Sequence, residues 1–256
     1  MEESYIDIHM HLIPKVDDGA QSMEESMQML HVAFNEGICT IIATPHYGME
    51  QYSPDTRECE RLVQSLNERI SNTEELKGMK VLLGNELLYR ADISNDIKQG
   101  KVNTLAGTNY VLTEFYVDAP FSTLEACAKE MKLAGYKPIF AHVERYFCLM
   151  DDISKLDRLK ELDALLQVNS FELKEPPQNE HTRIGLFKRL RVDLEERRRK
   201  LAWNYVLSGK IDLIASDAHG TDWRPPIMKT SLENIRAVGG NELADKLIEN
   251  AENILK

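Results

Sequence analysis

Histidine, glutamate and aspartate gather in this chain just past short apolar runs. Ile6-Asp7-Ile8 is followed by His9 and His11, Ile42-Ala43-Thr44-Pro45 by His46, and Val81-Leu82-Leu83-Gly84-Asn85 by Glu86. Val111-Leu112-Thr113 leads to Glu114, Ile139-Phe140-Ala141 to His142, and Ile214-Ala215-Ser216 to Asp217 and His219. Imidazole with carboxylate is a donor set for manganese, iron, zinc or magnesium, whereas softer metals favour thiolates. His9 and His11 are two apart, so on an extended strand both rings point to one side. These eight residues, with Asp18 of the Asp-Asp-Gly segment as a ninth, exceed what one ion can use. Two or three divalent ions are implied, and such a centre points to hydrolysis of a phosphate ester. Any one of these side chains alone reads as an ordinary hydrogen-bonded surface group. The weight lies in the coincidence, since five of the seven histidines stand at the end of an apolar run. His31, inside a helical pattern, and His181, in a polar stretch, are read as structural.

The elements that must position these groups alternate. Ser22 with Glu25 forms a capping-box pattern; Met23, Met27, Leu30 and Phe34 share a helical face, and Gly37 supplies the stop. A β-branched run follows at once. Ser53-Pro54 opens a second helix carrying Leu62, Leu66 and Ile70, and Ser122 with Glu125 repeats the capping box before a stop at Gly135. Seven strands are expected, at 5–8, 39–44, 81–84, 110–113, 138–141, 165–168 and 211–215, the sixth ending in Asn169 rather than in a ligand type. Strands alternating with helices predict an α/β fold with a parallel sheet and right-handed crossovers. A length of 256 residues suits a (β/α) barrel, which typically takes ~250; an open doubly wound sheet has the same periodicity. In either fold the ligands fall at the C-terminal ends of the strands, where the crevice lies.

Composition removes several functional classes. The chain carries 31 Lys and Arg against 42 Asp and Glu, a net charge of −11, which disfavours nonspecific binding to nucleic acid or anionic membranes. No apolar run approaches the ~20 residues of a membrane span, so no stable membrane insertion is expected. Met1-Glu2-Glu3-Ser4 lacks the basic, then apolar, character of a secretion signal. Cys39, Cys59, Cys127 and Cys148 form no Cys-x-x-Cys pair, which excludes a zinc ribbon and suits buried thiols in the cytoplasm. None of the four has an Arg six residues on, so the cysteine-nucleophile phosphatase loop is absent. With no linker or repeat, residues 1–256 read as one domain.

Ile-Asp-Ile-His-Met-His-Leu-Ile-Pro-Lys-Val-Asp-Asp-Gly, Ala-Thr-Pro-His, Gly-Asn-Glu, Ala-His-Val-Glu-Arg-Tyr, Ala-Ser-Asp-Ala-His and Arg-Pro-Pro resemble the polymerase-and-histidinol-phosphatase (PHP) superfamily. Within it they are most similar to the CpsB-type, manganese-dependent bacterial protein-tyrosine phosphatases of capsule and exopolysaccharide synthesis. The motifs run from the N-terminus to about residue 240. The resemblance implies a distorted (β/α)7 barrel, TIM-like, with a trinuclear centre. His9, His11, Glu86 and Asp217 would hold one ion; Glu86 would bridge to a second, completed by Glu114 and His142; Asp18, His46 and His219 would hold the third. Arg145 and Arg224 would bind phosphate, a role that suits the planar guanidinium fork. Val143, where the family usually has Pro, and Met10, where it often has a small polar residue, are departures of little consequence. The segment 170–200 is longer and more charged than expected, with Pro176-Pro177, Lys188-Arg189-Leu190-Arg191 and Glu195-Glu196-Arg197-Arg198-Arg199-Lys200. It reads first as a solvated helix face, and second as a dock for an acidic or phosphorylated tail.

The implied reaction is attack by metal-activated water without a covalent intermediate, with His219 or a neighbouring histidine as candidate proton donor to the leaving group. The leading substrate is phosphotyrosine on a bacterial tyrosine kinase that regulates polysaccharide export. A small-molecule phosphatase, such as one for histidinol phosphate, and a non-catalytic metal-binding regulator of a kinase are the other two readings.

Overall fold

The computed structural model describes residues 4–176 and 186–256, and side chains for all of these except 186–193. Pro177, His181 and the side chains of Lys188, Arg189, Leu190 and Arg191 therefore lie outside the described residues. In chain order the strands are β1 (Tyr5–Met10), β2 (Ile38–Ala43), β3 (His46–Tyr47), β4 (Lys80–Leu83), β5 (Glu86–Leu88), β6 (Tyr110–Glu114), β7 (Lys137–Phe140), β8 (Leu165–Asn169) and β9 (Leu213–Ala215). The helices are α1 (Met23–Asn35), α2 (Thr56–Ser71), α3 (Ile93–Lys98), α4 (Phe121–Ala134), α5 (Ser154–Glu161), α6 (Leu186–Leu207), α7 (Lys229–Gly239) and α8 (Asn241–Asn253).

Every strand pair is parallel, and the nine segments form seven staves. β2 continues into β3 across Thr44-Pro45, and β4 into β5 across Gly84-Asn85; the pairing survives both breaks, with Gly84 N donating to Ala43 O at 2.8 Å and Glu86 N to Pro45 O at 3.1 Å. The ring closes at the C-terminal end of the strands. There the chain beyond β9 meets β1, Asp217 N donating to His9 O and His11 N to Ala218 O, each at 2.9 Å. At the opposite end β4 and β6 part, and the fold is a distorted barrel with helices outside.

Two apolar layers follow from strand alternation. Ile8, Ile42, Leu112, Ile139 and Leu213 cluster inside the barrel, plugged by Leu105, Ala251 and Ile254. Tyr5, Met10, Ile41, Val111, Phe140 and Ile214 point outward, into the larger core shared with the helices. Gly84 stands at an interior position, where an added Cβ would lie 2.7 Å from Leu105 Cδ2 and 3.1 Å from Ile42 Cγ2.

The helix ends depart in detail from the sequence expectations. Ser22 caps α1 by accepting from Glu25 N, but the Glu25 carboxylate reaches back to Gln21 N rather than Ser22 N. The buried line of α1 is Ser26, Met29, Leu30 and Ala33, with Met23, Met27 and Phe34 on its flanks. α2 starts after Asp55, whose side chain accepts from Glu58 N, not at Ser53-Pro54. Ser122 caps nothing: α4 begins at Phe121 after Pro120, and Glu125 pairs with Arg158. Gly135 ends α4 as expected, at φ 88°. Cys59 and Cys127 are buried, whereas Cys39 and Cys148 are half-buried, and all four are free thiols.

Candidate metal centre

A bulge turns β1 toward the centre. Asp7 pairs with Ile41 and Met10 with Ala43, so three steps on β1 match two on β2. Below the bulge Ile6 and Ile8 face the barrel interior; above it the parity shifts, and His9 and His11 face inward while Met10 joins the outer core. Asp7 Oδ1 holds the bulge by accepting from His9 N at 3.2 Å and from Ser216 N at 3.1 Å. On three other staves the alternation continues: His46 extends the row of Ile42, Glu86 that of Leu82 and Glu114 that of Leu112, whereas Asp217, beyond Leu213, stands in a left-handed conformation at φ 51°. His142 is brought in by a left-handed residue conformation, φ 36° and ψ 55°.

All nine expected ligands converge at the barrel mouth, eight of them buried and Asp18 at its exposed rim. Ligand atoms of His9, His11, Glu86 and Asp217 lie within 4.8 Å of one another, as do those of His11, Asp18, His46 and His219, and those of His46, Glu86 and Glu114. The middle grouping differs from the expected one. His46 Nδ1 sits 2.9 Å from Glu114 Oε1 and 3.1 Å from Glu86 Oε2, whereas His142 Nε2 is 2.9 Å from Glu86 Oε1 but 3.9 Å from Glu114 Oε2. Glu86 is the hub, touching His9, His11, His46 and His142 within 3.3 Å.

The donor atoms fit divalent ions. His11 Nδ1 donates to Asp17 Oδ2 at 2.8 Å, His9 Nδ1 to Gln167 Oε1 at 3.3 Å, and His219 Nδ1 to the Asp217 carbonyl at 2.9 Å. The acceptors fix the tautomers: a carboxylate and a carbonyl only accept, and Gln167 Oε1 already accepts from His142 N. In these tautomers His9 and His11 turn their Nε2 atoms toward each other at 3.2 Å, while His219 Nε2 faces Arg224 Nη1. Such outer partners are how metal-binding imidazoles are oriented. His46 Nδ1, Glu86 Oε2 and Glu114 Oε1 are buried together and make no hydrogen bond among the described residues. Buried polar atoms without hydrogen-bond partners are costly, and a shared cation would satisfy all three.

The field at the mouth is strongly cation-attracting. Burial opposes a proton on His9, yet Glu86 and Asp217 raise its pKa; burial and His46 oppose one on His11, yet Asp17 and Asp217 carry it well up. His46 is raised too, by Glu86 and then Asp18 and Glu114 against its burial. Despite their burial, Glu86 is held well below the carboxylate range by His9 and His46, and Asp217 by Arg224 and His9. Burial and Arg145 push His142 down to about 4, and burial and His11 push His219 to about 4. His219 Nδ1 meanwhile lies 2.9 Å from the Asp217 carbonyl.

The two expected phosphate-binding arginines meet at the outer oxygen of Asp217. Asp217 Oδ1 faces His9 and His11, while Oδ2 accepts from Arg145 Nη2 at 2.9 Å, from Asn169 Nδ2 at 2.7 Å and from Arg224 Nη2. Arg224 Nη1 also donates to His219 Nε2 at 3.2 Å, and Arg145 Nε is buried without a partner. Asp17, Gln167, Asn169 and Tyr146, whose hydroxyl lies 3.4 Å from His142 Nδ1, complete the support. Of these, sequence marked only Asn169. His31 lies on α1, away from the cluster.

The model of the capsular polysaccharide synthesis family CpsB/CapC matches residues 5–175. The chain belongs to the CpsB/CapC family. It is 31% identical over 252 residues to the tyrosine-protein phosphatase YwqE of Bacillus subtilis, covering 98% of this chain and 91% of YwqE. It is 28% identical over 253 residues to the tyrosine-protein phosphatase CpsB of Streptococcus agalactiae, covering 98% of both. Among solved structures it matches those of YwqE from Bacillus subtilis and CpsB from Streptococcus pneumoniae, metal-dependent tyrosine phosphatases. That match has a TM-score of 0.84 at 30% identity, over 98% of this chain and 94% of the other. The CpsB/CapC model ends at residue 175, before Asp217, His219 and Arg224, yet the fold match runs through all three.

Proposed function

We propose that this CpsB/CapC chain is a metal-dependent phosphatase that hydrolyses phosphotyrosine on protein, its span 1–256 forming one phosphatase domain. The observation that carries the reading is Asp217. One of its oxygens faces the imidazoles of the ligand cluster and the other holds two arginines, so cation-binding and phosphate-binding groups share one buried carboxylate. His9, His11, Glu86 and Asp217 would hold one ion, Glu86 and Glu114 with His46 or His142 a second, and Asp18, His46 and His219 a third. Manganese is the ion we propose, from the resemblance to manganese-dependent phosphatases; the mixed carboxylate and imidazole set without thiolate is compatible with it and suits it better than magnesium. When bound, two or three such ions would supply charge neutralisation at the phosphoryl group and an activated water.

The protein's own groups do the rest. Arg145 and Arg224 grip the equatorial oxygens of the phosphoryl group, a contact that guanidinium makes in bidentate form. Asn169 and Asp217 keep the two forks from swinging away from the mouth. Asp17, Gln167 and the Asp217 carbonyl hold three imidazoles in one tautomer, so no reorientation accompanies binding. The partner we propose is a bacterial tyrosine kinase governing polysaccharide export, met in the cytoplasm; among the described residues no helix is long and apolar enough to cross a membrane.

The test compares a phosphotyrosine peptide with histidinol phosphate across added manganese, magnesium, zinc and iron. Faster turnover of the peptide, restored better by manganese than by magnesium, is expected. Faster turnover of histidinol phosphate would move the substrate class, and hydrolysis of neither by metal-loaded protein would leave a non-catalytic regulator.

A further inference from the structure

A cleft of about 440 Å³ opens beside the ligand cluster on the side of the two arginines. Its composition changes with depth. The inner end is Ser216, 1% exposed, with the largely buried guanidinium groups of Arg145 and Arg224. The rest of the lining mixes apolar Phe171, Leu194 and Trp223 with charged Glu172, Glu195 and Arg198; Leu194 is 46% and Trp223 62% exposed, while Lys174 Nζ lies 3.7 Å over the Phe171 ring. An indole left this open beside a charged site is uncommon, because large aromatics are usually buried. Trp223 is also fixed in place: its ring meets His219 edge-on, centroids 5.8 Å apart at 84°, and Arg224 Cζ lies 5.3 Å over it.

We infer that Trp223, with Phe171 and Leu194, forms an aryl-recognition wall that receives the ring of a phosphorylated phenol while Arg145 and Arg224 hold its phosphoryl group. The inference rests on the phosphatase reading above and adds the element that selects among phosphate esters. In a phenyl ester the ring is one oxygen from phosphorus, so a phosphoryl group on the arginines sets the ring at the outer end of the same cleft. An alkyl ester of serine size ends before it reaches that wall. Ring-on-ring contact of this kind is worth about tenfold in affinity.

Trp223 also touches Arg224, so the test must separate a wall from a prop. Phenylphosphonate and methylphosphonate carry the same head group and are not hydrolysed; each is titrated by calorimetry into manganese-loaded parent, Trp223→Leu and Trp223→Phe. The parent should prefer phenylphosphonate. Trp223→Leu should lose about tenfold for phenylphosphonate with methylphosphonate unchanged, and Trp223→Phe should recover most of the loss. Equal losses for both ligands would make Trp223 a support for Arg224 and overturn the wall, as would equal affinity of the parent for both. Because binding is read without turnover, a parent that prefers phenylphosphonate yet hydrolyses no peptide would refute the phosphatase reading while leaving the wall in place.

Discussion

Arg224 separates catalysis from scaffolding at the level of single residues. As the sole partner of a buried carboxylate its removal would be costly. Its partner, however, is the buried Asp217, which keeps Arg145 and Asn169 when Arg224 is gone. Arg224→Ala should therefore bind its normal metal and melt like the parent, yet lose on the order of a hundredfold in kcat/KM on phosphotyrosine peptide, or about 2–4 kcal/mol. Arg224→Lys should recover only part, since an ammonium cannot make the paired contact. Parental kcat/KM in the alanine variant would make this arginine scaffold. Glu144 offers a second test. It is fully buried, Oε1 accepts from Asn169 N at 3.3 Å, and Oε2 has no hydrogen-bond partner among the described residues. Burial raises its pKa to about 7, from 4.5 for an unperturbed glutamate, although Arg145 pulls the other way. The folded protein thus holds this proton after the unfolded chain has lost it. The stabilising contribution is full below about 4.5 and disappears as pH climbs through about 7. Glu144→Gln should remove this loss, gaining on the order of 2–3 kcal/mol relative to the parent between pH 5 and pH 8. Melting curves of both proteins across that range check it, and an equal pH slope in the two would contradict it. At this scale the residue types of the centre were legible, because each ligand follows an apolar run. Asp17, Gln167 and Tyr146 were not: Asp-Asp-Gly does not say which carboxylate faces in, and amide and phenol side chains at strand ends have many structural uses.

Secondary-structure elements were legible as kinds and less so as edges. All seven expected staves are present, yet the bulge in β1 and the breaks at Pro45 and at Gly84-Asn85 were not foreseen. Of these, the bulge does the aiming of His9 and His11, and it arises from a contact across the barrel rather than from local periodicity. The bulge is held by Asp7 reaching Ser216, 209 residues away. Local capping patterns misled at Ser53 and Ser122 because Asp55 and Pro120 set the actual helix starts. Gly84 tests the packing beneath Glu86. A methyl group there meets Leu105 Cδ2 at 2.7 Å and Ile42 Cγ2 at 3.1 Å, both on residues with no exposed surface. Gly84→Ala should cost about 1–3 kcal/mol by overpacking, lowering Tm by several degrees in a chain of this size. An unchanged Tm would show that the barrel floor is looser than this contact implies.

The whole molecule concentrates cation-seeking groups at one end of a closed ring of strands while its surface carries net negative charge. The charged segment before residue 200 divides where its side chains are described: Arg197 pairs with Asp151, Arg199 with Glu175 and Lys200 with Glu196 at or near the surface, while Leu194, Glu195 and Arg198 line the cleft beside Arg145 and Arg224. The same helix turns apolar afterwards, burying Trp203 and Tyr205 through hydrogen bonds to Glu175 O and Leu149 O. Barrel class was legible from the strand-helix alternation and length, whereas closure was not, since an open sheet shares that periodicity. We propose that the mouth of this barrel is a metal centre that hydrolyses phosphotyrosine. Protein dialysed exhaustively against chelator, then assayed on phosphotyrosine peptide with and without added manganese, tests it most directly. Turnover should vanish on dialysis and return with manganese, saturating at two or three ions per chain by elemental analysis; undiminished turnover in excess chelator would contradict it.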